Sequence, residues 1–330
     1  MEALRVATGH ILVMEGKYGK LECLSLGDYG RQHNVKADFL GKDYQRDLAQ
    51  VEHAVMLPLE DKWVITISTQ YGCSMGCTFC DVPKVGPGRN ATVEDMLSQV
   101  HTCMELHPEV TKGRINLHFA RMGEPTWNPH VLAASRYLRS ELQENFQFHP
   151  VVSTMMPRYN KKLKEFISEW MFAKQAANGD AGLQVSVNST CEKQRNKMFN
   201  GNAHTLQDIS SLFLSILHQH PVVGRKIALN FAVTDDYEID AVELSKLFNP
   251  KHFMCKLTPM HVTSAAMNNG LSTPGNALST AAYKHHEKAL KDVGFDVLVF
   301  VASRAEDEGR ITCGNAILSG TRPYGQGLLS

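Results

Sequence analysis

The sequence predicts a mixed α/β chain built as a partial (β/α)6 barrel, with a small strand-rich extension before it and a loop segment after it. Three observations carry this. From residue 62 onward, short apolar runs alternate with longer amphipathic stretches, the signature of repeated βα units. Each chemistry-bearing motif of the barrel region falls just after one of those short runs, where a (β/α) barrel gathers its reactive loops. The chain is 330 residues long with 43% hydrophobic residues, enough to bury one barrel-sized core.

The strand candidates are WVITIS (63–68), INLHFA (115–120), FHPVVS (148–153), LQVSV (183–187), IALNFAV (227–233) and FMCKL (253–257). These six fit the barrel, and DVLVFV (296–301) supplies a last strand. Helical periodicity falls near 92–107, 128–143, 159–175, 204–219, 238–248 and 280–293. Thr92 followed by Asp95 reads as a helix start, with an acid near the positive end of the dipole. Residues 1–60 carry HILVM, LECLSL and HAVMLP among glycines and charges, without a sustained helical period. The expected organisation is therefore a strand-rich extension over 1–60, a barrel over 61–303 and a tail over 304–330.

Thirty-four basic residues balance 34 acidic ones, so no global positive field advertises a polyanionic partner. The start, MEALRVATGHILVMEGKYGK, lacks the basic, apolar and small-residue regions of a secretory signal, and no stretch approaches a membrane span. The expectation is a cytoplasmic protein with no membrane partner. Eight cysteines in such a chain point to metal or catalytic use before disulfides.

Three of them cluster. QYGCSMGCTFCDVP places Cys73, Cys77 and Cys80 directly after the first barrel strand, as Cys-x3-Cys-x2-Cys. Three thiolates can bind three irons of a 4Fe-4S cubane and leave the fourth iron open to a substrate. The spacing resembles that of radical SAM enzymes, and the resemblance implies that the open iron takes S-adenosylmethionine (SAM). Gly76 allows a tight turn around the cluster, and Phe79 sits beside the third ligand. The competing reading is a structural zinc site, which usually draws on two ligand pairs; no second pair of suitable spacing is present.

After the second strand comes Arg121-Met122-Gly123-Glu124-Pro125. Gly123 permits close backbone approach to a cofactor, and Glu124 can accept a hydrogen bond from the SAM ammonium group. Together with QYGCSMGCTFC, the segments GPGRNAT, MGEPTWN, VVSTMMP, LQVSVNSTCEKQR and ITCGNAILSG, in this order, resemble the RlmN/Cfr family of RNA adenine methyltransferases over about residues 50–320. The resemblance implies that Gly123, Glu124, Ser153, Ser186, Val187 and Asn188 contact SAM, with His261 in place of a family asparagine. It implies that Cys313 receives a methyl group that later becomes a methylene radical, and that Glu52 meets the substrate adenine. An RNA substrate and an electron donor such as flavodoxin or ferredoxin follow from the same likeness.

Two departures stand out. The family's second catalytic cysteine, in the first strand, is Thr66 here, and a hydroxyl cannot form the disulfide that releases a protein–RNA crosslink. Cys255 is one candidate for a replacement thiol, although Cys255 and Cys103 read more simply as buried packing residues; Cys191, just after VNS, is less easily dismissed but also reads as a packing or surface residue. The family's N-terminal helical RNA-binding domain is also not evident in the 60 residues before the barrel. Lys161, Lys162 and Lys164, or Arg225 and Lys226, could meet phosphates, although such runs are commonly solvated helix faces. The leading expectation is a radical SAM enzyme resembling an RNA adenine methyltransferase. Hydrogen abstraction from a non-RNA substrate, and a non-catalytic RNA-binding or iron-sensing relative, remain as alternatives.

Overall fold

The computed structural model describes residues 1–28, 57–272, 281–302 and 304–322. Its first three strands, β1 (Glu2–Val6), β2 (Gly9–Gly16) and β3 (Gly19–Leu26), form an antiparallel meander. β4 (Trp63–Ile67) pairs antiparallel with β3 and opens the parallel part of the sheet. A short hairpin, β5 (Gln70–Gly72) with β6 (Pro87–Asn90), stands apart from the main sheet. The parallel strands continue with β7 (Gly113–Phe119), β8 (Phe146–Thr154), β9 (Gly182–Ser186), β10 (Ile227–Val233), β11 (Phe253–Pro259) and β12 (Asp296–Val299). The main sheet is thus a single ten-stranded one in the order β1-β2-β3-β4-β7-β8-β9-β10-β11-β12. The strands expected from the sequence are all present, and the meander extends the same sheet rather than folding apart from it.

The helices are α1 (Val93–Leu106), α2 (His130–Leu142), α3 (Leu163–Ala176), α4 (Glu192–Met198), α5 (Leu206–Leu217), α6 (Ala241–Leu247), α7 (Ser264–Asn268), α8 (Ala281–Asp292) and α9 (Arg304–Glu308). At the start of α1, the Thr92 hydroxyl accepts from the Asp95 N–H and the Asp95 carboxylate accepts from the Thr92 N–H, a reciprocal cap that contributes about 1 kcal/mol. Among the described residues, no helix is long and apolar enough to cross a membrane.

Alternation along the strands gives the sheet two unlike faces. Trp63, Ile65, Phe119, Phe253 and Cys255 are buried on the helix-covered face. There Phe119 meets Trp170 of α3 edge-on at 6.2 Å, and Phe253 meets Phe213 of α5 at 5.4 Å. Such aromatic pairs add about 0.5–1.5 kcal/mol beyond their burial. The opposite face mixes apolar residues with a run of polar ones: Thr66 is the register partner of His118, Ser153 of Gln184, Ser186 of Asn230 and Asn230 of Lys256. Directly opposed residues share a face, so these side chains line one interior.

Candidate active site

The loop carrying the three cysteines leaves β5 and is gripped from several sides. Cys73 N–H donates to the Gly86 carbonyl at 3.1 Å, so the β5–β6 hairpin closes over the start of the loop. Gly88 is required there, because a Cβ would fall 2.7 Å from the Ser74 nitrogen. Gly76 has φ of 64°, the left-handed turn expected between the first two cysteines. Thr78 N–H donates to the Met198 carbonyl at 2.9 Å, Asn202 Nδ2 donates to the Met75 carbonyl at 2.8 Å, and the Thr263 hydroxyl donates to the Phe79 carbonyl at 2.7 Å. Two segments distant in sequence, 198–202 and the one with Thr263, therefore hold this loop.

Burial pushes the Cys73 thiol up to about 12, while N–H groups of Met75 and Gly123 and the charge of Glu124 act on the same sulfur. Cys77 and Cys80 are also raised, first by burial and then by the charges of neighbouring cysteines. The thiols are close enough to repel one another as anions. Yet among the described residues no three His, Cys, Asp or Glu side chains converge as ligands of a single ion.

The Gly123–Glu124 turn lies against this loop. Gly123 has φ of 98°, and a Cβ there would come 2.6 Å from Gln70 Cβ. Gln70 staples the turn: its carbonyl oxygen accepts from Glu124 N–H at 2.9 Å and its amide donates to the Gly88 carbonyl and to Asn90, each at 2.8 Å. Glu124 is fully buried and its pKa is raised by that burial. One oxygen accepts from the Thr126 N–H and hydroxyl, and the other from Met155 N–H at 2.9 Å. The Thr154 side chain also hydrogen-bonds this carboxylate, so four donors converge on it.

Ser153 and Ser186 are half-buried on the face away from the helices near the C-terminal ends of β8 and β9. Val187 is buried and its N–H donates to the Asn230 carbonyl at 2.8 Å. Asn188, also buried and at φ of 61°, uses both ends of its amide within the protein: Oδ1 accepts from Ala232 N–H at 3.0 Å and Nδ2 faces the Met198 sulfur at 3.0 Å. His261 Nδ1 lies 2.9 Å from Asp307 Oδ1, which also accepts the Thr312 hydroxyl. That ring is thereby connected to the residues just before Cys313.

Cys313 reaches the same place from the far end of the chain. Asp81 N–H, one residue past Cys80, donates to the Gly314 carbonyl at 2.9 Å, and a Cβ on Gly314 would lie 3.1 Å from the Phe79 carbonyl oxygen. The side chain of Cys313 is open to solvent, yet it is enclosed by enough protein for burial to raise its pKa. Lys256 and Arg121 partly counter the rise.

The other sequence candidates divide sharply. Thr66 lies on the face away from the helices, with Leu24 and His118 as its strand neighbours. Cys255 lies on the helix-covered face with no exposed surface, between Leu229 and Val297, so it is on the wrong side of the sheet to serve Cys313. Cys103 is buried against Cys23, sulfur to sulfur 3.9 Å. Cys191 precedes α4 and is half-buried. Lys161, Lys162, Lys164 and Arg225 are exposed, although the protein packed around Arg225 and the charge of Arg114 lower its pKa. Glu52 lies outside the described residues.

Two residues escaped sequence reasoning. Arg195 is 1% exposed and donates to the carbonyls of Ser186 (2.7 Å), Val187 (2.8 Å), His204 (3.2 Å) and Met155 (3.4 Å). Asp81 accepts from Ser264 N–H, Ala265 N–H, the Thr321 hydroxyl and Lys84; burial would raise its pKa, but these donors hold it below the usual carboxylate range. The segments CEKQR and CDVP contained them, but nothing in their spacing signals that Arg195 reaches back to the end of β9 or that Asp81 meets partners 183 to 240 residues away.

No family model matches the chain. Among curated proteins it is 31% identical to the dual-specificity RNA methyltransferase RlmN 2 of Myxococcus xanthus over 221 residues, 61% of this chain and 52% of that protein. It is 26% identical over 277 residues to a probable dual-specificity RNA methyltransferase RlmN of Thermus thermophilus, covering 82% of this chain and 72% of the relative. The chain spans about half the length of the first curated relatives it matches. Among solved structures, a radical SAM methyltransferase from Sphaerobacter thermophilus superposes with a TM-score of 0.66 at 19% identity, over 96% of this chain and 80% of that one. The chain is thus related in sequence to the RlmN methyltransferases and has the fold of a radical SAM methyltransferase.

Proposed function

We propose that the protein is a radical SAM enzyme of the RNA methyltransferase type, with Cys73, Cys77 and Cys80 holding a 4Fe-4S cluster and Cys313 as the methyl acceptor. The observation that carries this is the hydrogen bond from Asp81 to Gly314, which sets the residue after Cys313 against the residue after Cys80. Bound at the three cysteines, a cluster supplies an open iron for SAM and the electron that cleaves its sulfonium.

The chain's own residues do the rest. Glu124 places a buried carboxylate beside the cysteine loop, where it would meet the SAM ammonium, and the missing side chain at Gly123 lets that turn pack against Gln70. Ser153 and Ser186 present hydroxyls from strand ends to the same interior, while Asn188 and Arg195 fix the loop after β9. Burial raises the Cys313 pKa and Lys256 and Arg121 only partly counter it, so the thiol has to give up its proton to attack a methyl group. In that step the sulfur–methyl bond to Cys313 forms, the sulfonium–methyl bond breaks and the thiol proton departs. The likeness to RlmN proteins favours an adenine-containing RNA as the final acceptor, and an external one-electron donor is required.

A second reading, hydrogen abstraction from a substrate other than RNA, draws on Thr66. No described cysteine outside the cluster loop shares a face with Cys313 in the way a releasing thiol would need. The two readings separate on one experiment with anaerobically reconstituted protein. SAM labelled with deuterium in its methyl group should place label on Cys313, read as a single-methyl mass increase of its peptide, and then in an RNA product. Deuterium passing instead from a labelled substrate into 5′-deoxyadenosine, with Cys313 unmodified, favours the second reading, and no 5′-deoxyadenosine at all after reduction defeats both.

A further inference from the structure

The strand meander β1–β3 touches the loop that carries Cys313. Glu22 of β3 has no exposed surface. One of its carboxylate oxygens accepts from Ile317 N–H at 3.0 Å and Leu318 N–H at 3.2 Å. The other lies 2.9 Å from Nε of Arg121, a side chain only 2% exposed, in an ion pair set off the line of a hydrogen bond. Arg121 in turn precedes the Gly123–Glu124 turn. A single buried carboxylate therefore joins the N-terminal meander, the loop after β7 and the loop after Cys313.

The contact is apolar as well as ionic. Ile11, Leu24 and Leu26 form a small core separate from the main one, and its remaining walls include Val6, Val64, Ile311 and Ile317. Ile311 and Ile317 bracket Cys313, so both shoulders of its loop rest on the meander. Arg310 ties the loop to itself, donating to the carbonyls of Ala316 (2.5 Å) and Thr321 (2.6 Å). Asp81 holds the opposite side through Gly314 and Thr321. If the loop swung away, the Glu22 carboxylate would lose both backbone donors while still buried, which is unfavourable for a charge.

We infer that Glu22 is a positioning residue for Cys313, and that the N-terminal meander is the seat on which the methyl-accepting loop is fixed over the cluster loop. This rests on the proposed role of Cys313, but the docking itself can be measured without it. Glu22→Leu removes the acceptor and the charge; Glu22→Gln keeps volume and one carbonyl acceptor and decides the matter if the leucine variant does not fold.

Two readouts are taken on the full chain. Amide hydrogen exchange at Ile317 and Leu318 should accelerate at least 10-fold in Glu22→Leu and less in Glu22→Gln, with exchange in α2 and α3 unchanged. In reconstituted protein, methylation of Cys313 should fall at least 10-fold in Glu22→Leu, while iron content and 5′-deoxyadenosine formation stay within about twofold. Unchanged exchange at Ile317 and Leu318 would overturn the seat. Faster exchange with undiminished Cys313 methylation would overturn the positioning role. Faster exchange in a protein whose wild type never methylates Cys313 would leave the seat standing and overturn both the positioning role and the proposed function.

Discussion

The two loops that meet at the candidate active site are built in opposite ways. Cys73, Cys77 and Cys80 lie within eight consecutive residues, so their proximity is local and each is buried or half-buried where it stands. Cys313 lies over two hundred residues away and stays solvent-accessible, and its place depends on Asp81, Arg310 and Glu22. The first loop can be damaged by changing a ligand. The second can be damaged by changing a residue that touches neither cluster nor substrate. A short-range chelate and a long-range docking contact thus contribute different vulnerabilities to one site.

The largest effect that sharpens this contrast is expected from the local loop. Cys77→Ala should abolish iron–sulfur absorption and reduce bound iron from about four per chain to a small residue, because two thiolates cannot retain the cubane. Retention of tightly bound zinc by the wild-type protein, with no iron–sulfur chromophore after reconstitution, would break the comparison at its root.

A smaller effect is expected at Arg195, which belongs to neither loop but braces the end of β9, where SAM contacts are proposed. Arg195→Met keeps the length and apolar stem but leaves four carbonyls without their charged donor. It should lower unfolding free energy by about 3 kcal/mol in denaturant titration. SAM affinity should weaken more than iron content, since the carbonyls of Ser186 and Val187 lose their anchor. Equal loss of both would place Arg195 in the general core instead.

The smallest effect lies away from both loops. Burial, followed by the neighbouring His285, lowers His286 to about 4 from an ordinary value near 6.5. The unfolded chain therefore binds the proton more readily, so stability is full above the unfolded value and is lost as pH falls through it toward the folded one. Thermal unfolding should occur at a lower temperature at roughly pH 5 than at roughly pH 7.5, and His286→Gln should flatten that difference. An unchanged slope would assign the pH response to other groups.

Much of the frame was legible because its signals are short-range. The runs WVITIS, IALNFAV and FMCKL became β4, β10 and β11, and Thr92 with Asp95 became a reciprocal helix cap. The cysteine spacing and the Gly123–Glu124 turn were readable for the same reason. Cys255 shows where this stops. The strand itself was found, but which face its thiol occupies follows from register against Leu229 and Val297, and a period-2 pattern is silent where both faces are lined by apolar or mixed residues. Asn188 was legible as a loop residue near the site, but not as one whose amide is consumed by Ala232 and Met198.

By itself the sequence determined that the chain alternates strands and helices and that three thiols come together in one loop, since both depend on spacing over a few residues. Only the tertiary structure decided that Glu22 and Asp81 grip the segment around Cys313 and that Thr66 faces the interior while Cys255 does not. Those outcomes depend on sheet register and on buried charges finding partners up to 296 residues away, and neither is encoded in any local pattern.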